Sequence, residues 1–240
     1  MSQALRIEPV EGTMTAGDGE HRVLEISLPG VPRGLVVLLC DDGGLAGHAG
    51  EVLNDLAHHG YESLAVEVAG DGRGPLPPDA VLVALQALLA RAAERGWSPE
   101  QVGVLGVGSG GLQALVAAAL FELGAVVSLS PTRRGGAVAL PDVVATVRTP
   151  WLGLFGADDP SAPVEEVRAL GRRLEGASDV FTAVVRYPGV GRDWYRSDTS
   201  DGVSYAASYD GWERVFEWLG ARVAPRLTPL AEQWRAHQGA

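Results

Sequence analysis

Short apolar runs rich in Val, Leu and Ile alternate along this chain with longer segments of helical periodicity. Such alternation is typical of an α/β fold, in which helices cover both faces of a mostly parallel central sheet. The predicted strands are residues 21–28, 35–40, 62–68, 102–107, 125–129, 151–155 and 182–187. The predicted helices are residues 47–59, 79–95, 110–123, 164–174 and 204–222. No repeat or composition shift divides the chain, so we predict one domain over residues 1–240.

Two further segments are predicted from local signals. Residues 30–34, GVPRG, have the glycine and proline content of a turn, and we predict a hairpin loop between the first two strands. After Pro225, the pattern resumes with Leu230 and Trp234 among polar neighbours. This tail is predicted to be a short docked helix or a frayed end.

Charge balance and the absence of lysine exclude several classes of function. The 240 residues include 30 acidic and 19 basic side chains, which gives a formal net charge of −11. Such a field repels phosphate backbones and anionic lipid, so neither nucleic acid nor a membrane surface is an expected partner. All 19 basic residues are arginine, which excludes Schiff-base and P-loop lysine chemistry. The first residues lack a secretory signal pattern, and the expected location is cytoplasmic.

The most informative segment is residues 104–112, VLGVGSGGL, where a predicted strand passes into a helix. Gly106, Gly108 and Gly111 match the G-x-G-x-x-G of dinucleotide-binding turns. However, this turn does not follow the first strand, and the next strand ends without an acidic residue to bind a ribose. The turn also fits the nucleophile elbow of an α/β-hydrolase, which needs small residues near its centre. A third interpretation is that the glycines only let strand and helix pack closely.

The centre of such an elbow can be placed at two positions. If Ser109 is the centre, Val107 stands where a small residue is required. If Gly108 is the centre, Gly106 and Gly110 flank it and fit well, but glycine offers no nucleophile. Ser109 is the only hydroxyl on the turn and is therefore either a displaced nucleophile or a helix N-cap.

Several motifs in the same order resemble those of the dienelactone hydrolase family of α/β-hydrolases, over most of the sequence. Residues 106–111, GVGSGG, are similar to its G-x-C-x-G-G elbow, and residues 40–45, CDDGGL, to its oxyanion loop. Residues 150–159, PWLGLFGADD, resemble the segment that carries the catalytic acid, and residues 187–194, YPGVGRDW, its Y-P-G-x-x-H-x-F loop. The resemblance implies an α/β-hydrolase fold without a large lid domain.

The resemblance also identifies the three triad positions, and two of them carry the wrong residue type. The nucleophile position is Gly108, the acid position is Asp159 and the histidine position is Arg192. Glycine has no attacking atom, and arginine, with a pKa above about 12, cannot serve as a general base near neutral pH. If the loops lie as in the family, Asp159 and Arg192 should form an ion pair.

Ligand binding is predicted for several residues around these positions. Arg196 matches an arginine that binds the substrate carboxylate in the family, and Trp194 and Tyr195 could form an aromatic wall. The predicted substrate-binding residues are Arg196, Arg192, Trp194, Asp42 and Asp41. His48 is the only histidine expected at this edge of the sheet. No cofactor is predicted, and no metal site, since His58 and His59 point to different sides of a helix.

The leading hypothesis is a dienelactone-hydrolase-like protein that lacks the standard triad. It would bind a small anionic organic molecule, such as a carboxylate, or catalyse a non-hydrolytic step on it, such as isomerisation. Asp159, Asp41 or Asp42 would carry the proton. The alternative is a weak ester or lactone hydrolase that uses Ser109 with Asp159. A dinucleotide-binding protein and a partner-binding protein without a small-molecule site are the remaining hypotheses.

Overall fold

A computed structural model describes residues 6–17, 19–41, 43–67, 69–70, 74–75, 78–131, 146–196 and 201–238. Within these residues, the strands of the main sheet are β1 (Val10–Ala16), β2 (Gly19–Ile26), β3 (Gly34–Cys40), β4 (Tyr61–Glu67), β5 (Val102–Val107), β6 (Ala125–Leu129), β7 (Trp151–Gly156) and β8 (Thr182–Tyr187). The helices are α1 (Gly44–Gly47), α2 (Ala49–His58), α3 (Pro78–Glu94), α4 (Ser109–Leu120), α5 (Val164–Ala177), α6 (Gly202–Arg222) and α7 (Pro229–Gln238). A 3-10 turn, Pro99–Gln101, precedes β5, and Ala69–Gly70 pairs with Gly74–Pro75 in a small separate ladder.

The strands of the described main sheet follow the order β1-β2-β4-β3-β5-β6-β7-β8. The pairs from β4 through β3 to β8 are parallel, whereas β2 is antiparallel to both β1 and β4. The prediction of a mostly parallel sheet is therefore confirmed. The strand β1 was not predicted, because only Met14 and Ala16 are buried in this edge strand and its apolar alternation is weak.

The predicted hairpin at residues 30–34 is wrong. β2 and β3, the strands on either side of it, do not pair with each other, since β4 lies between them. Every residue of β3 is buried, so this strand belongs in the interior of the sheet rather than beside an edge strand. The segment 30–34 is instead a connection that carries the chain past the position of β4.

Helices cover both faces of the sheet, as predicted. One apolar cluster joins alternate residues of the strands, such as Leu35, Val37 and Leu39, to α3, α4 and α5. The other cluster joins the intervening residues, such as Val36 and Leu38, to α2 and α6. Successive side chains of a strand point to opposite faces, which explains how β3 contributes to both clusters. No helix among the described residues combines the length and hydrophobicity needed to cross a membrane.

The parallel arrangement determines where a site can form. Because β3, β5, β6, β7 and β8 run in the same direction, the segments that follow them emerge at one edge of the sheet. Asp41, Gly108, Ser130, Asp159 and Arg192 all lie in these segments. In open α/β sheets, ligands bind in the crevice outside the carboxyl ends of the strands.

Candidate functional site

The turn between β5 and α4 is built around Gly108. This residue has φ 57° and ψ −119°, a backbone conformation that side-chain-bearing residues adopt only under strain. Its N–H donates to the Leu129 carbonyl over 2.9 Å, and its own carbonyl accepts from the Gly111 N–H over 3.1 Å. These hydrogen bonds hold a tight strand-to-helix turn with Gly108 at its apex.

The glycines on either side of Gly108 are required by backbone contacts. A Cβ at Gly106 would overlap the Gly110 carbonyl, and a Cβ at Gly110 would overlap the Leu39 carbonyl of β3. These are the positions at which an elbow centred on residue 108 needs small residues. Ser109 is the first residue of α4, and the N-cap is Gly108. The N-cap interpretation of Ser109 is therefore wrong, since the helix starts one residue earlier than that role requires.

Asp41 occupies the space in front of the Gly108 apex. A Cβ at Gly108 would lie 3.1 Å from the Asp41 Cβ and 3.1 Å from its Oδ2. The side chain of Asp41 is 21% exposed, and burial raises the pKa of its carboxyl group. A carboxylate therefore lies at the point where an elbow nucleophile would project.

Asp159 and Arg192 lie side by side at the end of the neighbouring strands. The Nε of Arg192 is 3.8 Å from the Oδ2 of Asp159, which is longer than a hydrogen bond. The Oδ1 of Asp159 accepts from the N–H and the hydroxyl of Ser161, over 2.8 and 2.6 Å. Asp159 is 3% exposed, and its Oδ2 is buried without a hydrogen-bond partner among the described residues.

Two residues that the motif analysis did not single out hold the Arg192 loop in place. Ser130 follows β6 with φ 43°, and its hydroxyl donates to the Arg192 carbonyl over 2.7 Å. Gly156 ends β7, and a Cβ there would overlap the Gly191 carbonyl. The left-handed backbone conformation of Ser130 is visible only in the structure, so no residue pattern would have identified this serine.

A second cluster of charged side chains surrounds Asp41. The Nε2 of His48 is 3.9 Å from its Oδ1, and the Nη2 of Arg196 is 3.8 Å from its Oδ2. The Nε of Arg196 also lies 3.8 Å from Asp193 Oδ1. Gly44 makes the approach of His48 possible, because a Cβ there would lie 2.5 Å from Asp41 Oδ1 and 2.8 Å from the His48 ring.

A cavity of about 510 Å³ opens beside this cluster. Its wall consists of Gly43, Gly44, Gly47, His48, Glu51, Val52, Asp55, Tyr195, Arg196 and Trp212. A volume of this size is in the range of small-molecule sites. The hydroxyl of Tyr195 is buried and belongs to a residue of the cavity wall.

The predicted substrate-binding residues have different positions around this cavity. Arg196 lies in its wall, and Asp41 contacts both Arg196 and His48. Trp194 is only 2% exposed and packs in the core, with its ring 4.4 Å from that of Tyr187, rather than in the cavity wall. A tight contact with Gly211 of α6 holds the Trp194 ring there. Asp42 lies outside the described residues.

No group of three or more metal-ligating side chains is present in the part of the chain that the structure describes.

Comparison with known proteins gives a consistent family and fold. The sequence model described as the dienelactone hydrolase family matches residues 27–223. A provisionally assigned carboxymethylenebutenolidase from Salmonella typhimurium is 26% identical over 207 residues, which cover 77% of this chain and 76% of the relative.

Solved structures share the same architecture. A provisionally assigned dienelactone hydrolase from Klebsiella pneumoniae superposes with a TM-score of 0.71 at 21% identity, covering 89% of this chain and 99% of the other. An esterase from Pyrococcus furiosus superposes with a TM-score of 0.68 at 18% identity, covering 90% of this chain and 93% of the other. The predicted α/β-hydrolase fold is thereby confirmed.

Proposed function

The chain belongs to the dienelactone hydrolase family, and on that premise we propose that it binds a small organic anion at an elbow that has lost its nucleophile. Gly108, Asp159 and Arg192 stand at the nucleophile, acid and histidine positions of the family pattern. A triad needs an attacking atom and a base that can accept its proton, and this set supplies neither.

The observation that carries the proposal is the conformation of Gly108 together with its neighbour. The backbone has the shape of an elbow, with φ 57° and ψ −119°, but no side chain projects from it. The carboxylate of Asp41 is 3.1 Å from the Cβ position instead. The same carboxylate argues against a dinucleotide at this turn, since its negative charge would repel a pyrophosphate.

Anion recognition is supported by the arginine in the cavity wall. Arg196 is 45% exposed at its side chain, and guanidinium groups bind carboxylates with two parallel hydrogen bonds. In α/β-hydrolases, the backbone N–H after the elbow residue is a donor of the oxyanion hole. Here that residue is Ser109, and its N–H needs no particular side chain for this role. A carboxylate could therefore bind at Arg196 with another oxygen of the ligand near the turn.

Hydrolysis through Ser109 is the second candidate, and the comparisons favour it. The relatives and structural neighbours are named as a carboxymethylenebutenolidase, a dienelactone hydrolase and an esterase. Ser109 follows the apex directly and is partly exposed. Its weakness is the base, because Arg192 stands in the histidine position and stays protonated.

A binding experiment tests the proposal. We expect small mono- and dicarboxylates, such as acetate, succinate and maleate, to raise the thermal unfolding midpoint, as any ligand of the native state does. Arg196→Gln should raise the Kd measured by calorimetry by about tenfold or more, since hydrogen bonds to charged groups contribute about 1.5–3 kcal/mol. The matched control is Arg168→Gln, because Arg168 is similarly exposed, at 48%, and also pairs with an acid three residues away.

Hydrolysis of 4-nitrophenyl acetate separates the two candidates. No turnover above the buffer rate is expected for the wild type. Turnover that disappears in Ser109→Ala would contradict the proposal and support the serine hydrolase. Absence of binding by every carboxylate would also contradict it.

A further inference from the structure

Two polar atoms without partners lie beside the cavity. Asp41 Oδ1 and His48 Nε2 are both buried, have no hydrogen-bond partner among the described residues and are 3.9 Å apart. Buried polar atoms are paired in nearly all native structures, so a group of unpaired ones at a cavity requires an explanation. A bound molecule with polar atoms, or a proton moving between these groups, would supply the missing partners.

We propose that His48 is the general base of this site, held by Asp41, and that the site moves a proton on a small oxo acid. The proposal rests on the proposed function, because the carboxylate of that oxo acid is the anion bound at Arg196. It adds the catalytic residue, the class of substrate and the type of reaction.

The position of His48 is determined by the backbone. It lies between α1 and α2, where its N–H donates to the Gly44 carbonyl over 3.1 Å and its carbonyl accepts from the Glu51 N–H over 3.1 Å. The ring lies in the cavity wall with Nε2 turned towards Asp41, 3.9 Å away. Nδ1 is therefore the ring nitrogen left to meet a ligand. Distances of this kind commonly shorten when substrate binds.

The electrostatic surroundings favour the neutral, basic form of the imidazole. Burial lowers the pKa of His48 below its ordinary value, and Arg196 acts in the same direction. Asp41, Glu51 and Asp193 act in the opposite direction, with Asp41 the strongest of the three. A neutral imidazole can accept a proton, and the nearby carboxylate stabilises the imidazolium that results.

The proposed step conserves atoms and electrons. His48 removes a proton from the carbon next to the ketone, the C–H bond breaks, and its electron pair moves to the ketone oxygen to give an enolate. Arg196 lies in the same cavity wall as His48, and its guanidinium, which binds the adjacent carboxylate, also stabilises the negative charge on that oxygen. The imidazolium can return the proton to the same carbon, which regenerates the substrate. In an unsaturated acid it can instead protonate a conjugated carbon, which gives an isomer. Nothing is oxidised or reduced, and no nucleophile on Gly108 is required.

Deuterium exchange tests the step directly. The probe is 2-oxobutanoate in D2O, and the loss of its C3 proton signal is followed by NMR. We expect the wild type to accelerate this exchange, and His48→Gln to lower the enzyme-dependent rate by about 100-fold or more, the usual contribution of a general base. His58→Gln is the matched control, because His58 is an exposed histidine at the end of α2, and its rate should equal that of the wild type.

The two proposals fail in different ways. If calorimetry shows that 2-oxobutanoate binds but the wild type does not accelerate exchange, the role of His48 is overturned and the proposed function stands. If neither 2-oxobutanoate nor any other carboxylate binds, the proposed function itself is overturned. An exchange rate in His48→Gln equal to that of the wild type, with the variant folded by circular dichroism, also overturns the role of His48.

A titration adds a readout that a purely structural role would not change. The exchange rate should rise with pH through the pKa of His48, below the ordinary value of about 6.5, because only the neutral ring accepts a proton. In Asp41→Asn the pKa of His48, measured by NMR, should fall, since the carboxylate that raises it is gone. An unchanged pKa of His48 in that variant would overturn the Asp41–His48 pairing.

Discussion

The proposed function depends on the backbone and the surroundings of a single glycine. Gly108 has the strained backbone of an elbow, and its lack of a side chain leaves room for the Asp41 carboxylate. Its type and its place in the G-x-G-x-x-G run were clear from the sequence, but the neighbour was not. For Trp194, too, the sequence did not show the surroundings of the side chain, because nothing in a run of aromatic and charged residues indicates which ring faces the core and which faces the cavity.

The strained backbone at Gly108 predicts that alanine there and alanine at Gly176 change the free energy of unfolding in opposite directions. Gly108→Ala should lower the free energy of unfolding by about 1–3 kcal/mol, because a Cβ is disfavoured at this backbone conformation and would crowd Asp41. Gly176→Ala is the control, since Gly176 lies in α5 with open space around its Cβ position. It should raise the free energy of unfolding by about 0.4–1 kcal/mol. Urea denaturation measures both, and equal effects in the two variants would contradict the strain.

At the scale of elements, a charged network joins the residues directly after α3 to the antiparallel side of the sheet. Glu62 of β4 accepts hydrogen bonds from Arg95 Nη2 over 2.7 Å, from Trp97 Nε1 over 3.1 Å and from the Leu28 N–H over 3.3 Å. Arg95 also contacts Glu25 of β2. The network is partly buried, with Glu62 at 13% and Arg95 at 18% exposure. Sequence periodicity located these elements, but not the side chains that connect them.

Removing the charge of Glu62 tests how much this network stabilises the fold. Glu62→Gln should lower the free energy of unfolding by about 1.5–3 kcal/mol, because an amide cannot accept from all three donors and leaves Arg95 partly unpaired. In the control, Glu11→Gln breaks the exposed Glu11–Arg22 pair, which has a comparable length of 2.8 Å. That change should have little effect, as is usual for exposed ion pairs. Equal losses in chemical denaturation would show that burial of the Glu62 network contributes nothing.

At the scale of the whole molecule, sheet order brings distant loops together. Asp41 follows β3, Gly108 follows β5 and Arg192 follows β8, and all three segments emerge at the same edge. Under the proposed function, the site differs from the family pattern in two side chains of the triad, at Gly108 and Arg192. If the proposed equivalence of positions is right, hydrolytic chemistry should depend on those two side chains.

Restoring them is the prediction at this scale. Gly108→Cys combined with Arg192→His should produce measurable hydrolysis of 4-nitrophenyl acetate, because the thiol gains a base that Asp159 can orient. Each single variant should remain inactive, since nucleophile and base act as a unit. The double variant must first be shown to be folded by circular dichroism, because a side chain at residue 108 costs stability. A folded but inert double variant would contradict the assignment of the triad positions.

The amino-acid sequence by itself determined the fold class and the family, because each depends on local periodicity or on short motifs read in order. For the glycine-rich turn it left several interpretations open, including an elbow centred on Gly108 or on Ser109. It could not determine the edge strand β1, the true partner of β2 or the burial of Trp194. Nor could it show that Asp41, His48 and Arg196 meet at one cavity. His48 is close to Asp41 in the chain, but Arg196 is distant, and the strand order from β3 through β5, β6 and β7 to β8 brings Arg196 within 3.8 Å of Asp41. Local residue patterns do not indicate contacts between residues that are distant in the chain, and so the arrangement of the side chains in the site was decided by the tertiary structure.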